Sequence, residues 1–281
     1  MASKGNPWDI PDWHSIQRET MLISQLIGAG VTALGRANYA DKKGEYYRAF
    51  FELSVGMERF AKLILVVDYA LTHQGAMPDE QYVRQFGHDL VCLFAAVDKV
   101  AADRSLRLKH QRPNDAVAKA IVENLDAFAD AKRGRYANFA GLGNPQSRQQ
   151  EPIEKWWTEV AEAVFEERYY NKKVQQRVED KARAVTTMFG SYSFLAYTTE
   201  TRDQLSDLEA ASRRSGQTQI VQKWSRYHAL TIARWLTNVY CDLSRNAFGQ
   251  GIDAFSGSWE FFDTYRVEDD LMKTRKIWSL D

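Results

Sequence analysis

Glu45-Tyr-Tyr-Arg-Ala-Phe-Phe-Glu-Leu-Ser-Val-Gly-Met-Glu-Arg-Phe-Ala-Lys-Leu-Ile-Leu65 is a run in which apolar residues return every three or four positions. Phe50, Leu53, Met57, Phe60, Ile64, Val67 and Leu71 share one face at the helical period. The pattern predicts a helix over about Glu45 to His73, with Gly75 closing it. Gly56 inside this run costs about 1 kcal/mol relative to Ala, which points to a second helix passing close by. Glu58 and Lys62 stand four apart in the favourable order for a helix pair, bracketed by Met57, Phe60 and Ala61. Two readings of that pair stay open: a solvated, salt-bridged face, or a partly buried polar cluster that orients a site.

The same periodicity extends outward in both directions, with almost no strand signal. Upstream, a first helix is expected from about Ser15 to Tyr39, its stripe formed by Met21, Leu22, Leu26, Ile27, Val31 and Leu34. Downstream, a third helix begins near His88-Asp89 and carries Leu90, Leu93, Phe94 and Val97 inward. A fourth covers about Asn114 to Ala131, with Asn114 as N-cap. Lys132 to Pro152 breaks the pattern with Gly134, Gly141, Gly143 and Asn144-Pro145. Beyond it, helices are expected over Ile153 to about Thr199, broken near Gly190, over Arg202 to Ser215, over Gln217 to Phe248, and from Trp259. The expectation is an all-α, multi-helix up-and-down bundle. Residues 1–14 form a polar leader, 15–140 a helical bundle and 141–152 a loop. Residues 153–281 form a helical extension packed on the first half.

Composition bounds the function. The 281 residues carry 37 Lys+Arg and 37 Asp+Glu, so no overall charge grips nucleic acid, although a local basic groove is invisible in the total. Cys92 and Cys241 are far apart, each within an apolar run, and read as buried free thiols rather than a disulfide or zinc site. The five histidines are dispersed, so no metal site and no cofactor are expected. No phosphate-binding Gly-rich loop, His-Glu-x-x-His or Gly-x-Ser-x-Gly is present, which removes the common kinase, metalloprotease and hydrolase readings. Apolar stretches such as Leu63 to Val67 fall far short of the ~20 residues of a membrane span. With no signal-peptide core before Trp13, the expected location is cytoplasmic, without a membrane partner.

Tyr47, Ala49, Glu58 and Lys62 on the second helix, then Gly87-His88-Asp89-Leu90 opening the third, resemble the abortive-infection (AbiV-like) branch of the HEPN superfamily. The resemblance covers about residues 15 to 140. It implies a small helical bundle, frequently a homodimer or bound to a protein partner. It also implies a role in bacterial phage defence or a mobile element, with many relatives cleaving RNA without metal. The family's catalytic signature is Arg, a short spacer and His. Histidine moves the 2′-hydroxyl proton while arginine neutralises charge on the phosphorane-like transition state. Arg104-Ser-Leu-Arg-Leu-Lys-His110 has that spacing but lacks the Asn often found directly after the Arg.

Arg133-Gly-Arg135-Tyr136-Ala-Asn138 offers a guanidinium, a stacking ring and an amide suited to a nucleotide or phosphate. It reads equally as a basic cluster answering a helix C-terminus. His88 is the histidine that would complete such a site with Arg135, or else a capping or interhelical residue. Trp224-Ser-Arg226-Tyr227-His228 interleaves aromatic and basic residues, either to stack on single-stranded RNA or as core-edge packing. Three functions remain open. One is a HEPN-like protein that cleaves or binds RNA without metal. The second is a helical interaction protein that has kept the bundle and lost the nuclease. The third is a nucleotide or small-molecule sensor around Glu58, Lys62 and Arg135.

Overall fold

A computed structural model describes residues 6–130, 135, 136, 139, 142, 150–190 and 195–279. Among them the first elements are α1 (Pro11–Leu34), α2 (Lys43–Thr72), α3 (Glu80–Arg84), α4 (Leu90–Asp103) and α5 (Ala116–Ala129). Next come α6 (Pro152–Trp156), a π turn (Trp157–Ala161), α7 (Glu162–Arg168) and α8 (Lys173–Phe189). A minimal antiparallel hairpin, β1 (Tyr197–Thr198) with β2 (Gln204–Leu205), precedes α9 (Leu208–Gly249). A 3-10 segment (Ser258–Tyr265) and α10 (Asp269–Thr274) end the chain. The protein is all-α. No helix among the described residues is long and apolar enough to cross a membrane.

The chain divides into two compact units. One comprises Met1–Ala29, Glu52–Asn114 and Leu230–Asp281, the other Gly30–Phe51 and Asp115–Ala229. Each unit therefore draws on segments from both sides of the 141–152 stretch.

In the first unit the α2 stripe is buried as its period requires, at Leu53, Met57, Phe60, Ile64 and Val67. Phe60 stacks on Phe262 with ring centroids 4.2 Å apart, and Tyr240 meets Phe262 edge-on at 5.2 Å. Gly56 marks the crossing of α1, because a Cβ there would lie 3.0 Å from Ile27 Cγ1 and 3.2 Å from Leu26 Cβ. The stripe of α1 departs from expectation. Met21 and Leu22 are exposed, and the buried face runs through Ile16, Thr20, Ile23, Ser24 and Ile27. Two hydroxyls on that face disguise it in the sequence: Thr20 donates to Ile16 O and Ser24 to Phe261 O. Cys92 is exposed and only Cys241 is buried. Cys92 sits off the Leu90–Leu93–Phe94–Val97 stripe of α4, two residues and about 200° round from Leu90.

The second unit packs Tyr46 and Phe50 of α2 with Ile121, Leu125 and Phe128 of α5 and with Trp156, Trp157, Val160 and Val164. Asp115, rather than Asn114, caps α5 and accepts from Ala118 N at 2.9 Å, so the helix starts at Ala116. The helix expected from Ile153 to Thr199 is interrupted. Asn171 takes φ 58°, a left-handed conformation that Asn tolerates, and separates α7 from α8. The opposite correction applies at Gly216, read as a break between two helices and found inside one. It stays helical because Val178 of α8 packs on it: a Cβ at Gly216 would lie 2.7 Å from Val178 Cγ1. Pro11 starts α1 earlier than expected, at a position where its missing N–H costs nothing. The segment from Trp259 is 3-10 rather than α-helical.

A buried polar group ties the hairpin to α9. Glu200, fully buried, pairs with Arg214 at 2.9 Å, and the guanidinium lies 3.7 Å over the Trp157 ring. Trp157 Nε1 donates to Tyr46 Oη at 2.9 Å, and Tyr46 Oη faces Glu200 Oε1 at 3.5 Å. Removing one partner strands the other charge in a low dielectric. Arg214→Met is expected to lower unfolding stability in urea by about 3 kcal/mol, with part recovered in the Arg214→Met/Glu200→Gln double variant. A loss under about 0.5 kcal/mol would contradict this reading of the pair.

Candidate functional site

The first unit brings together three residues singled out in the sequence. Glu58 Oε1 accepts from Lys62 Nζ at 2.8 Å and lies 2.9 Å from His88 Nδ1. Glu58 and Lys62 are mostly buried while His88 is exposed. Gly87, at φ 62°, turns the chain so that His88 faces α2 and Asp89 caps α4 by accepting from Cys92 N at 2.8 Å. The cluster is thus an exposed imidazole held by a shielded carboxylate.

Arg104 and His110 have separate engagements. Arg104 Nε donates to the Asp68 carboxylate, while Nη2 donates to Asp68 O and Thr72 Oγ1, each at 2.9 Å. The guanidinium is occupied by the end of α2. His110 is half-buried; desolvation, then the charges of Arg234 and Lys109, hold its pKa below the ordinary histidine value, against the pull of Glu268 and Asp269.

Arg135 belongs to the second unit. It lies over the rings of Phe128 and Phe51 at 5.5 and 5.6 Å, and Nη2 donates to Ala129 O at 3.4 Å. This is the basic group answering the carbonyl end of α5. Tyr136 is exposed and meets Phe139 edge-on. Asn138 lies outside the described residues.

The geometry best suited to a ligand is elsewhere in the second unit, in a cleft of about 580 Å3 formed by the end of α7, α8 and the first half of α9. Val174, Val178, Ile220 and Trp224 supply its apolar wall. Arg168, Arg177, Lys181 and Lys223 supply four cations, and no carboxylate lines it. Arg168 lies 4.0 Å over the Trp224 ring, and Lys223 Nζ stands 5.4 Å from it. Arg168 pairs with the Glu167 carboxylate. Arg177, Lys181 and Lys223 enter no ion pair among the described residues. Arg177 and Lys181 stand four apart, so α8 presents both on one strip. A concave surface with an indole face and uncompensated cations suits an anionic ligand that carries a planar ring.

Of the Trp224 to His228 string, only Trp224 lines this cleft. Arg226 is buried, and desolvation lowers its pKa. Its Nη1 lies 2.5 Å from where a Cβ on Gly35 would stand, so the guanidinium sits at the carbonyl end of α1. His228 is also buried, between Asp115 Oδ1, 3.1 Å from Nδ1, and Glu167 Oε2, 3.6 Å from Nε2. Burial raises the Asp115 pKa, but hydrogen bonds from His228 and Ala118 N and the charge of His228 outweigh it and hold the pKa at about 2. One donor atom from each of Asp115, Glu167 and His228 lies within 4.8 Å of the others. Sequence reading missed this cluster because its members sit at the ends of α5 and α7 and in the middle of α9, with no short spacing to reveal them. It missed the α8 cations because α8 was not resolved as a separate helix.

Comparison with known proteins adds nothing to the geometry: no family model, curated protein or solved structure matches the chain.

Because Gly216 sets how closely α8 approaches α9, Gly216→Val is expected to force the Val178 side chain aside and cost about 1–3 kcal/mol in urea unfolding. An unchanged midpoint would show that α8 yields freely at this contact.

Proposed function

We propose that this chain is a HEPN-like helical protein of a bacterial defence or mobile-element system, and that it binds single-stranded RNA through the α8–α9 cleft. The observation that carries the RNA reading is the lining of that cleft: four cations around Trp224 with no carboxylate among them. With zero net charge over the whole chain, attraction for a polyanion has to come from local segregation of this kind. In the complex, Arg177, Lys181 and Lys223 neutralise successive phosphates, while a base stacks on the indole beside Arg168. Val174, Val178 and Ile220 exclude water behind the base. The lysine and arginine stems are long enough to follow a flexible backbone, which favours a single strand over a duplex of fixed groove geometry.

The bacterial defence setting rests on the resemblance of Tyr47, Glu58, Lys62 and Gly87 to Leu90 to the HEPN pattern. The proposal takes the binding arm of that resemblance rather than the cleaving arm. Arg104, whose spacing to His110 suggested catalysis, is held by Asp68 and Thr72.

Fluorescence anisotropy with a labelled single-stranded RNA tests the reading. Lys181→Glu/Lys223→Glu is expected to weaken binding by more than about 10-fold, and Trp224→Ala by about 5- to 100-fold, with circular dichroism unchanged. Lys62→Glu, at a residue that does not line the cleft, should bind as the parent does. No binding by the parent, or equal loss in all three variants, overturns the proposal in favour of a non-catalytic interaction protein.

A further inference from the structure

The α8–α9 cleft has a neighbour on the next face of α9. Asn38, Asp41, Ser215, Thr218, Gln219 and Gln222 line a second depression of about 280 Å3, smaller than the ~300–1,000 Å3 typical of sites for drug-sized molecules. Ser215 and Gln219, one turn apart, line both depressions. On α9 the cleft also takes Ser212, Gly216, Ile220 and Lys223, whereas the second depression takes Ala211, Thr218 and Gln222. The two sets follow the helical period one residue out of step. That offset is about 100°, or roughly 9–10 Å round a helix ~10–12 Å wide, so one flexible strand reaches both.

The chemistry changes across that ridge. Four cations and no carboxylate line the cleft, whereas Asp41 is the one charged residue lining the second depression. Three side chains help to build its walls. Thr218 Oγ1 donates to Arg214 O and Gln222 Nε2 to Ala37 O, each at 2.9 Å. Asn38 Oδ1 accepts from Asp41 N at 3.0 Å, which leaves the Asn38 amide N–H groups to donate. Asp41, Ser215 and Gln219 are exposed, and their side chains have no hydrogen-bond or ion-pair partner among the described residues. A carboxylate repels phosphate, so a backbone held by the cations of the cleft leaves this depression to a base.

We propose that the second depression is a guanine subsite, taking the base next to the one stacked on Trp224; the assignment rests on the RNA reading of the cleft. A carboxylate accepts and does not donate. Guanine is the base whose Watson–Crick edge sets two donors side by side, N1–H and the N2 amino group, so it engages both oxygens of Asp41 at once. Adenine and cytosine present a ring-nitrogen lone pair beside their amino group, and uracil flanks its single N–H with two carbonyls. Each of these sets an acceptor against the carboxylate. The amides of Asn38 and Gln219 supply donors for the O6 of guanine. Cleft and depression thus divide the work, the first holding phosphates of any sequence and the second selecting a base.

Competition anisotropy on the full chain with short single-stranded RNAs tests the subsite. The strands are all uridine except for one central guanosine, adenosine or inosine, the last keeping N1–H without the N2 amino group. The guanosine strand is expected to bind about 5- to 100-fold more tightly than the adenosine strand, with inosine losing most of that gain. Asp41→Ala, at an exposed turn residue, is expected to bring guanosine and adenosine strands to parity with circular dichroism unchanged. Equal affinity of the parent for every strand, or a preference unmoved in Asp41→Ala, overturns the subsite. Loss of every strand in Lys181→Glu/Lys223→Glu then still upholds the cleft. If the parent binds no strand, the cleft reading fails, and isothermal titration with guanosine and adenosine monophosphates decides the subsite by itself. Saturation by the guanosine form alone upholds it, and no saturation up to about 5 mM overturns it.

Discussion

The approach of Val178 to the bare Cα of Gly216 governs the part of the molecule that carries the chemistry. A Cβ at residue 216 would stand 2.7 Å from Val178 Cγ1, so only glycine lets α8 lie this close to α9. Without that approach α8 has little to hold it, since Ala182 is its only buried residue. The helix is otherwise polar and charged, and its position is set by a narrow seam of small and β-branched side chains. The same seam forms the floor of the cleft, which is why Val174, Val178 and Ile220 back the cations of α8 and α9. Glycine is here a packing residue within a helix, at a cost in propensity of about 1 kcal/mol that the seam offsets.

Much of the fold was legible in the sequence, and the exceptions have physical causes. The α2 and α4 stripes were readable because their buried side chains are apolar at the helical period, Ser54 of α2 excepted. The α1 stripe was misplaced because Thr20 and Ser24 lie on the buried face, satisfied by backbone carbonyls, while Met21 and Leu22 are left outside. Breaks were misjudged in both directions for one reason. Gly216 looks like a terminator but is fixed inside a helix by tertiary packing, whereas Asn171 looks unremarkable yet takes the left-handed conformation that ends α7. Propensity alone does not know which glycine has a neighbour.

The candidate site was less legible. Glu58 and Lys62 pair as their spacing implies, and His88 joins them from the α4 capping turn, a contact between residues 30 positions apart. Arg104 and His110 matched a spacing pattern, yet Arg104 is engaged by the acidic and hydroxyl groups at the end of α2. The cleft and the Asp115–Glu167–His228 cluster are products of tertiary structure, assembled from helices distant in sequence. Their only sequence trace was Trp224 and His228 within one aromatic-basic string, of which the first faces the cleft and the second faces inward.

Electrostatics links these observations. A chain with equal numbers of acidic and basic residues has no global field to attract a polyanion, so affinity has to come from local segregation. Arg177, Lys181 and Lys223 provide it by lacking carboxylate partners among the described residues. The most direct measurement is the salt dependence of RNA affinity. If these three cations meet phosphates, log affinity falls against log salt with a slope of about −2 for a single strand, and Lys181→Glu makes it shallower. A slope near zero, or one unmoved by that substitution, would contradict the assignment of the cleft as the RNA-binding surface.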